Sequence, residues 1–171
     1  MAIKAADVKK LRDATGAGMM DAKKALTEAD GDFDKAVDLL RVAGQAKAAK
    51  RSDREAANGL VVGTGNALVQ IGSETDFVAK NADFVATADK IAKAVDVAKA
   101  DSKDAAAQVQ LDDGKTVAQT LEDLAGTIGE KIELADAAYF EGNAHIYLHR
   151  RSQDLPPQVG VMVGYTGEDT E

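Results

Sequence analysis

The sequence predicts an α+β protein: a three-helix bundle, a linker, then a core domain in which helices pack on a mostly antiparallel sheet. Three observations carry this. Over residues 1–44 apolar side chains recur at helical spacing between glycine-containing breaks. From Gly59 the period changes to the alternation of a strand. Beyond that, strand-like runs are separated by helices yet joined in part by hairpin turns. The divisions that follow are a three-helix partner-docking module at 1–44, a basic alanine-rich linker at 45–57 and an α+β core at 58–171.

Val8, Leu11 and Arg12 mark the first helix, and Thr15-Gly16-Ala17-Gly18 ends it with glycine suited to a C-terminal cap. The second helix carries Met19, Met20, Ala22, Lys23, Ala25 and Leu26 and closes at Ala29-Asp30-Gly31. Asp32 is placed to cap the third, along which Phe33, Ala36, Val37, Leu40 and Arg41 fall before Gly44. Met19 and Met20 are consecutive and cannot both face the core, which leaves adaptable apolar surface, although gap-filling is the commoner use of methionine. Gln45 to Ala57 has Lys47, Lys50, Arg51 and Arg54 without an apolar face and reads as a linker or a solvated helix.

In the second block, Gly59 to Val62 and Ala67 to Ile71 are strands around Gly63-Thr64-Gly65-Asn66, whose residues tolerate the positive φ of a hairpin turn. Asn81 to Ala98 reads as a long helix with Phe84, Ala88, Ile91, Ala92 and Val95 on one face. A polar stretch, Lys99 to Gln110, precedes a turn at Asp112-Asp113-Gly114. Val117, Leu121, Leu124, Ala125 and Ile128 mark a further helix that stops near Gly129. Ile132 to Phe140 and Ala144 to His149 are strands joined at Glu141-Gly142-Asn143, and Val159 to Tyr165 follows the rigid Leu155-Pro156-Pro157.

Composition narrows the function classes. The 171 residues are 45% hydrophobic, much of it alanine, with no Trp, four Phe and three Tyr, so the cores must be tight and helix-rich. Cysteine is absent, which removes disulfides, thiol nucleophiles and thiolate metal sites. No signal peptide or membrane-length apolar run is present, and a soluble cytoplasmic protein with no membrane partner is expected. Residues 1–54 hold 12 Lys or Arg against 9 Asp or Glu; the remainder holds 9 against 20, for a net charge of −8. Such acidity argues against direct nucleic-acid binding, which needs clustered cations.

Catalytic constellations are hard to find. His145 and His149, four apart on a strand, share a face but lie too far apart for one metal. Gly63-Thr64-Gly65 is a weak glycine pattern on a hairpin, and Asp112-Asp113 and Asp30-Gly31-Asp32 lack the ligand series of a calcium loop. Neither cofactor nor metal is expected, and an enzyme making or breaking covalent bonds is a poor reading.

The most informative segment is Glu74-Thr75-Asp76-Phe77-Val78-Ala79-Lys80-Asn81, where a strand gives way to a helix. Local pattern favours capping by Thr75 or Asp76, with Phe77 stapling the first turn. A large ring beside a carboxylate at an element end also suits prying at a partner's polar site.

Leu11-Arg12, Thr15 to Leu26 and Asp30-Gly31-Asp32 resemble the N-terminal module of the bacterial elongation factor Ts family, itself similar to ubiquitin-associated bundles. Glu74 to Asn81 resembles that family's most distinctive stretch. Ile128 to Ile132, Tyr147-Leu148-His149 and Val159 to Val163 match its core, in order, over nearly the whole chain. The resemblance implies a guanine-nucleotide exchange factor for elongation factor Tu. By position it implies docking through Val8, Leu11, Met19 and Met20, extended by Ile128, Gly129 and His149. It further implies that Asp76, Phe77, Val78 and Ala79 dislocate the partner's magnesium, and it reverses the preference for mere capping. The chain stops soon after Val163-Gly164-Tyr165 and ends on the acidic Glu168-Asp169-Thr170-Glu171, as a short or truncated form would. Short members pair as homodimers, so a homodimer is also open. Ala135-Asp136 stands where many relatives carry arginines, and Arg150 to Pro157 is longer than in some. Three alternatives stand beside exchange: docking on a GTPase without exchange, a ubiquitin-like binding module, and a small-molecule-binding α+β domain.

Overall fold

The computed structural model describes residues 3–167; Met1-Ala2 and the acidic end Glu168–Glu171 lie outside the described residues, as do the side chains of Ala48 and Ala49. The chain forms two units. One comprises the chain up to Asp53 together with Asp123–Glu130; the other comprises Arg54–Glu122 and the chain from Lys131 onward.

The first unit holds α1 (Ala5–Thr15), α2 (Met19–Glu28) and α3 (Phe33–Ala49). Gly16 ends α1 at φ 66°, its N–H donating to the Arg12 carbonyl at 2.8 Å. Asp30 and Gly31 both take positive φ between α2 and α3, and Asp32 caps α3 by accepting from the Lys35 N–H at 3.0 Å. Val8, Leu11, Ala22, Ala25, Leu26, Ala29 and Ala36 form the buried core. The spacing predicts that α3 ends near Gly44, but it continues to Ala49. Gly44 serves as a contact rather than a stop: a Cβ there would lie 3.6 Å from the Gly126 Cα, and one on Gly126 would lie 3.2 Å from the Gly44 Cα. The two glycines thus bring α3 against the segment Asp123–Glu130 at a separation that a side chain on Gly126 would crowd.

In the second unit, β1 (Asn58–Thr64) and β2 (Ala67–Ser73) form the expected hairpin, and β3 (Ile132–Tyr139) adds antiparallel to β2, giving the order β1-β2-β3. The β2–β3 register shifts at Gln70/Ile71, where Ala135 is the extra residue of a bulge. A separate two-stranded antiparallel sheet pairs β4 (Asn143–His149) with β5 (Val159–Tyr165). The turn at Glu141-Gly142-Asn143 therefore links strands of different sheets rather than closing a hairpin. It is held instead by Asn66, whose side-chain amide donates to the carbonyls of Phe140 and Gly142 at 2.8 and 2.6 Å.

Behind the three-stranded sheet lies α5 (Ala82–Ala98), which follows a one-turn helix, α4 (Asp76–Ala79). Phe84, Ala88, Ile91, Ala92 and Val95 form its buried face, at the helical intervals the sequence shows. The polar stretch after it contains an unexpected short helix, α6 (Lys103–Gln108), capped by Ser102 and anchored by the fully buried Ala106. The last helix, α7 (Val117–Ile128), opens with a reciprocal cap. The Thr116 hydroxyl accepts from the Gln119 N–H at 3.2 Å, and the Gln119 side chain accepts from the Thr116 N–H at 3.0 Å. Gly129, at φ 88°, ends it as the sequence indicates. Among the described residues no helix is long and apolar enough to cross a membrane.

Candidate functional site

The chain leaves β2 at Ser73, turns through Glu74 and Thr75, and makes the single turn of α4 before α5 begins. Both helices carry side-chain caps. The Thr75 hydroxyl accepts from the Val78 N–H at 3.5 Å, and the Asn81 side-chain oxygen Oδ1 accepts from the N–H groups of Asp83 and Phe84 at 2.9 and 3.2 Å. The Asn81 N–H also donates to the Val78 carbonyl at 2.9 Å, so the turn is closed at its far end.

One turn of helix has 3.6 residues, so fixing two consecutive side chains inward drives their neighbours outward. Val78 and Ala79 are the inward pair, 7% and 0% exposed. Phe77 is 77% exposed and does not staple the turn; the capping half of the local reading holds, through Thr75, and the stapling half does not. Leaving a phenylalanine in water forgoes about 2 kcal/mol of burial. The Lys80 ammonium lies 5.4 Å from the ring centroid, a contact of modest value in water. Asp76 is partly exposed, and among the described residues its carboxylate has no hydrogen-bond or ion-pair partner. The result is an unspent ring and an unspent carboxylate on a turn capped at both ends.

The first unit presents a second apolar surface. Met19 and Met20 open α2 and are 49% and 75% exposed, while Ala22, Ala25 and Leu26 further along the helix are buried. Val8 and Leu11, expected beside the methionines, lie in the bundle core at 6% and 0% exposure. They are therefore enclosed side chains of the bundle rather than part of its exposed surface. The loop before Met19 sits against α7, since a Cβ on Gly16 would lie 2.5 Å from Thr127 Cγ2. Ile128 and Gly129, half-buried, follow directly, and the Arg51 guanidinium reaches the Ala125 carbonyl at 3.5 Å. The methionine pair and the end of α7 therefore belong to one neighbourhood of the first unit.

His149 stands in the second unit on the exposed face of β4, its Nδ1 3.1 Å from the Tyr147 hydroxyl. His145 shares that face, and the β5 residues paired opposite them are Val163, Val161 and Val159. Tyr147 and the three valines are exposed, an apolar face that sequence reading passed over. The available signal was alternation on both sides: Ile146 and Leu148 fill one face, so Tyr147 and the β5 valines were left for the other.

Together these features describe a class: an α+β protein with a helical unit and a sheet unit, each exposing apolar side chains. The chain belongs to the elongation factor Ts family, whose description, Elongation factor TS, matches residues 74–171. It is 74% identical to Elongation factor Ts of Cutibacterium acnes over all 171 of its residues, which cover 63% of that protein. Identity is 58% to the Nocardioides sp. Elongation factor Ts, over 98% of this chain and 62% of the relative. For the Mycolicibacterium gilvum protein of the same name it is 56%, over 96% and 60% respectively. The chain thus spans about three fifths of the length of the curated relatives it matches.

Proposed function

We propose that this chain acts in translation elongation as a guanine-nucleotide exchange factor for elongation factor Tu, working in the cytoplasm and making or breaking no covalent bond itself. The observation that carries the reading is Phe77, exposed beside the free Asp76 carboxylate on a turn fixed at both ends. Met19 and Met20, with Ile128, Gly129 and His149, supply docking surface. Asp76, Phe77 and the buried pair Val78 and Ala79 form the wedge and its seat.

A GTPase holds its nucleotide largely through Mg²⁺, which bridges the phosphates to the protein and neutralises their charge. Displacing the side chains around that ion weakens coordination, and the phosphates lose their counter-charge. Phe77 supplies the bulk and gains the burial it lacks in the free chain, whereas Asp76 accepts hydrogen bonds from the displaced segment. A penalty of about 4 kcal/mol on bound nucleotide speeds release roughly a thousandfold. By linkage, nucleotide weakens the factor's own binding equally, so the arrival of fresh nucleotide expels it.

Release of a fluorescent GDP analogue from elongation factor Tu in magnesium buffer tests this. Acceleration that saturates with added chain is expected. Binding without acceleration would leave only docking, and a folded chain that does not bind would overturn the proposal.

A further inference from the structure

The wedge is only as effective as its base is stiff, and the base converges on one side chain. Glu74 occupies the bend between β2 and α4, where its side chain is 19% exposed. Its Oε1 accepts the backbone N–H of Lys131, just before β3, at 2.6 Å. The Arg54 guanidinium, ahead of β1, reaches both carboxylate oxygens at 3.3 and 3.2 Å. The Lys131 ammonium returns to the Arg54 carbonyl at 2.8 Å, closing a ring through three separate stretches of chain. The two peptide carbonyls of the bend are held as well. Asn58 donates to that of Glu74 at 2.8 Å, and the buried Ser73 hydroxyl donates to that of Thr75 at 2.9 Å.

We infer that Glu74 is a positioning residue whose carboxylate clamps the Asp76–Phe77 turn in its presented orientation. This rests on reading that turn as the exchange wedge. Its carboxylate oxygens meet a backbone N–H and a guanidinium. Of its two main partners, the half-exposed Arg54 contributes little, because solvent screens exposed ion pairs. The bond from the Lys131 N–H is short and part-buried, fixed by the position of one oxygen and less open to solvent, and it carries more. The acceptor oxygen therefore matters more than the charge. Glu74→Gln, which keeps that oxygen, must preserve most of the clamp, whereas Glu74→Ala must lose it.

Two readouts test the inference. In the free chain, Glu74→Ala is expected to speed amide hydrogen exchange at Val78–Asn81 about tenfold while leaving the β1–β2 hairpin protected. In GDP release from elongation factor Tu, the saturated rate is expected to fall about tenfold, the half-saturating concentration to stay within about twofold, and Glu74→Gln to recover most of the loss. An unchanged saturated rate in Glu74→Ala would overturn the inference. So would a loss that Glu74→Gln does not recover, or exchange that rises throughout the hairpin. Should the unaltered chain fail to accelerate release, the exchange reading itself falls, and amide exchange still decides whether Glu74 holds the turn.

Discussion

The helical unit and the sheet unit bury their cores with different material. The first closes on Val8, Leu11 and Leu26 with four alanines, whereas Phe84, Ile71, Ile91, Val69, Val95 and Val117 are fully enclosed in the second. Buried methylene groups contribute about 0.8 kcal/mol each, so the alanine-rich unit holds far less in reserve. Their exposed apolar groups differ in the same sense. Met19 and Met20 ride on a helix whose N-cap, Gly18, offers no side chain, while Phe77 rides on a turn capped by Thr75 and followed by the Asn81 cap. Flexible thioethers on a modest core suit adhesion to a partner; a ring on a fixed turn over a large core suits displacement.

The largest effect that would sharpen this contrast is Phe84→Ala, which should cost the sheet unit about 4 kcal/mol in urea unfolding followed by circular dichroism. A loss under about 1 kcal/mol would mean that α5 is not the anchor of the second core. Leu11→Ala should cost about 3 kcal/mol and raise amide exchange across α1, α2 and α3, leaving β1 and β2 protected. Equal loss of protection in the sheet would break the distinction between the two cores. For Met20→Glu, a charge forced into an apolar contact should raise the half-saturating concentration in GDP release about tenfold without lowering the saturated rate. A lowered saturated rate with unchanged docking would reverse the roles given to the two surfaces. Smallest is Thr75→Ala: its capping bond to the Val78 N–H is long at 3.5 Å. The stability change should therefore sit near the low end of capping effects, about 0.5 kcal/mol.

Much of the fold was legible in the sequence wherever one period ran long enough. Phe84 to Val95 states the face of α5 outright, and the glycines after α1 and α7 end those helices as read. What escaped depended on partners distant in sequence. Gly44 looks like a helix stop until Gly126 lies against it, and a turn at Glu141–Asn143 cannot reveal that β3 pairs with β2 and β4 with β5. The six residues of α6 are too few to show a stripe, and its anchor is a single alanine. At the site, Asp76 and Phe77 stood out by type and position, but which of Phe77 and Val78 would turn inward followed only from the seat beneath the turn. Val8 and Leu11, which the resemblance implicates in docking, are buried in the bundle core, and helical spacing alone cannot separate an exposed face from a core when both are apolar.

The central claim is that Phe77 displaces rather than adheres. Its most direct test is the saturated rate of GDP release from elongation factor Tu with Phe77→Ala set against the unaltered chain. A fall of about tenfold or more in that rate, with the half-saturating concentration changed by less than about twofold, is the result expected of a wedge. An unchanged saturated rate, or a loss confined to the half-saturating concentration, would contradict it.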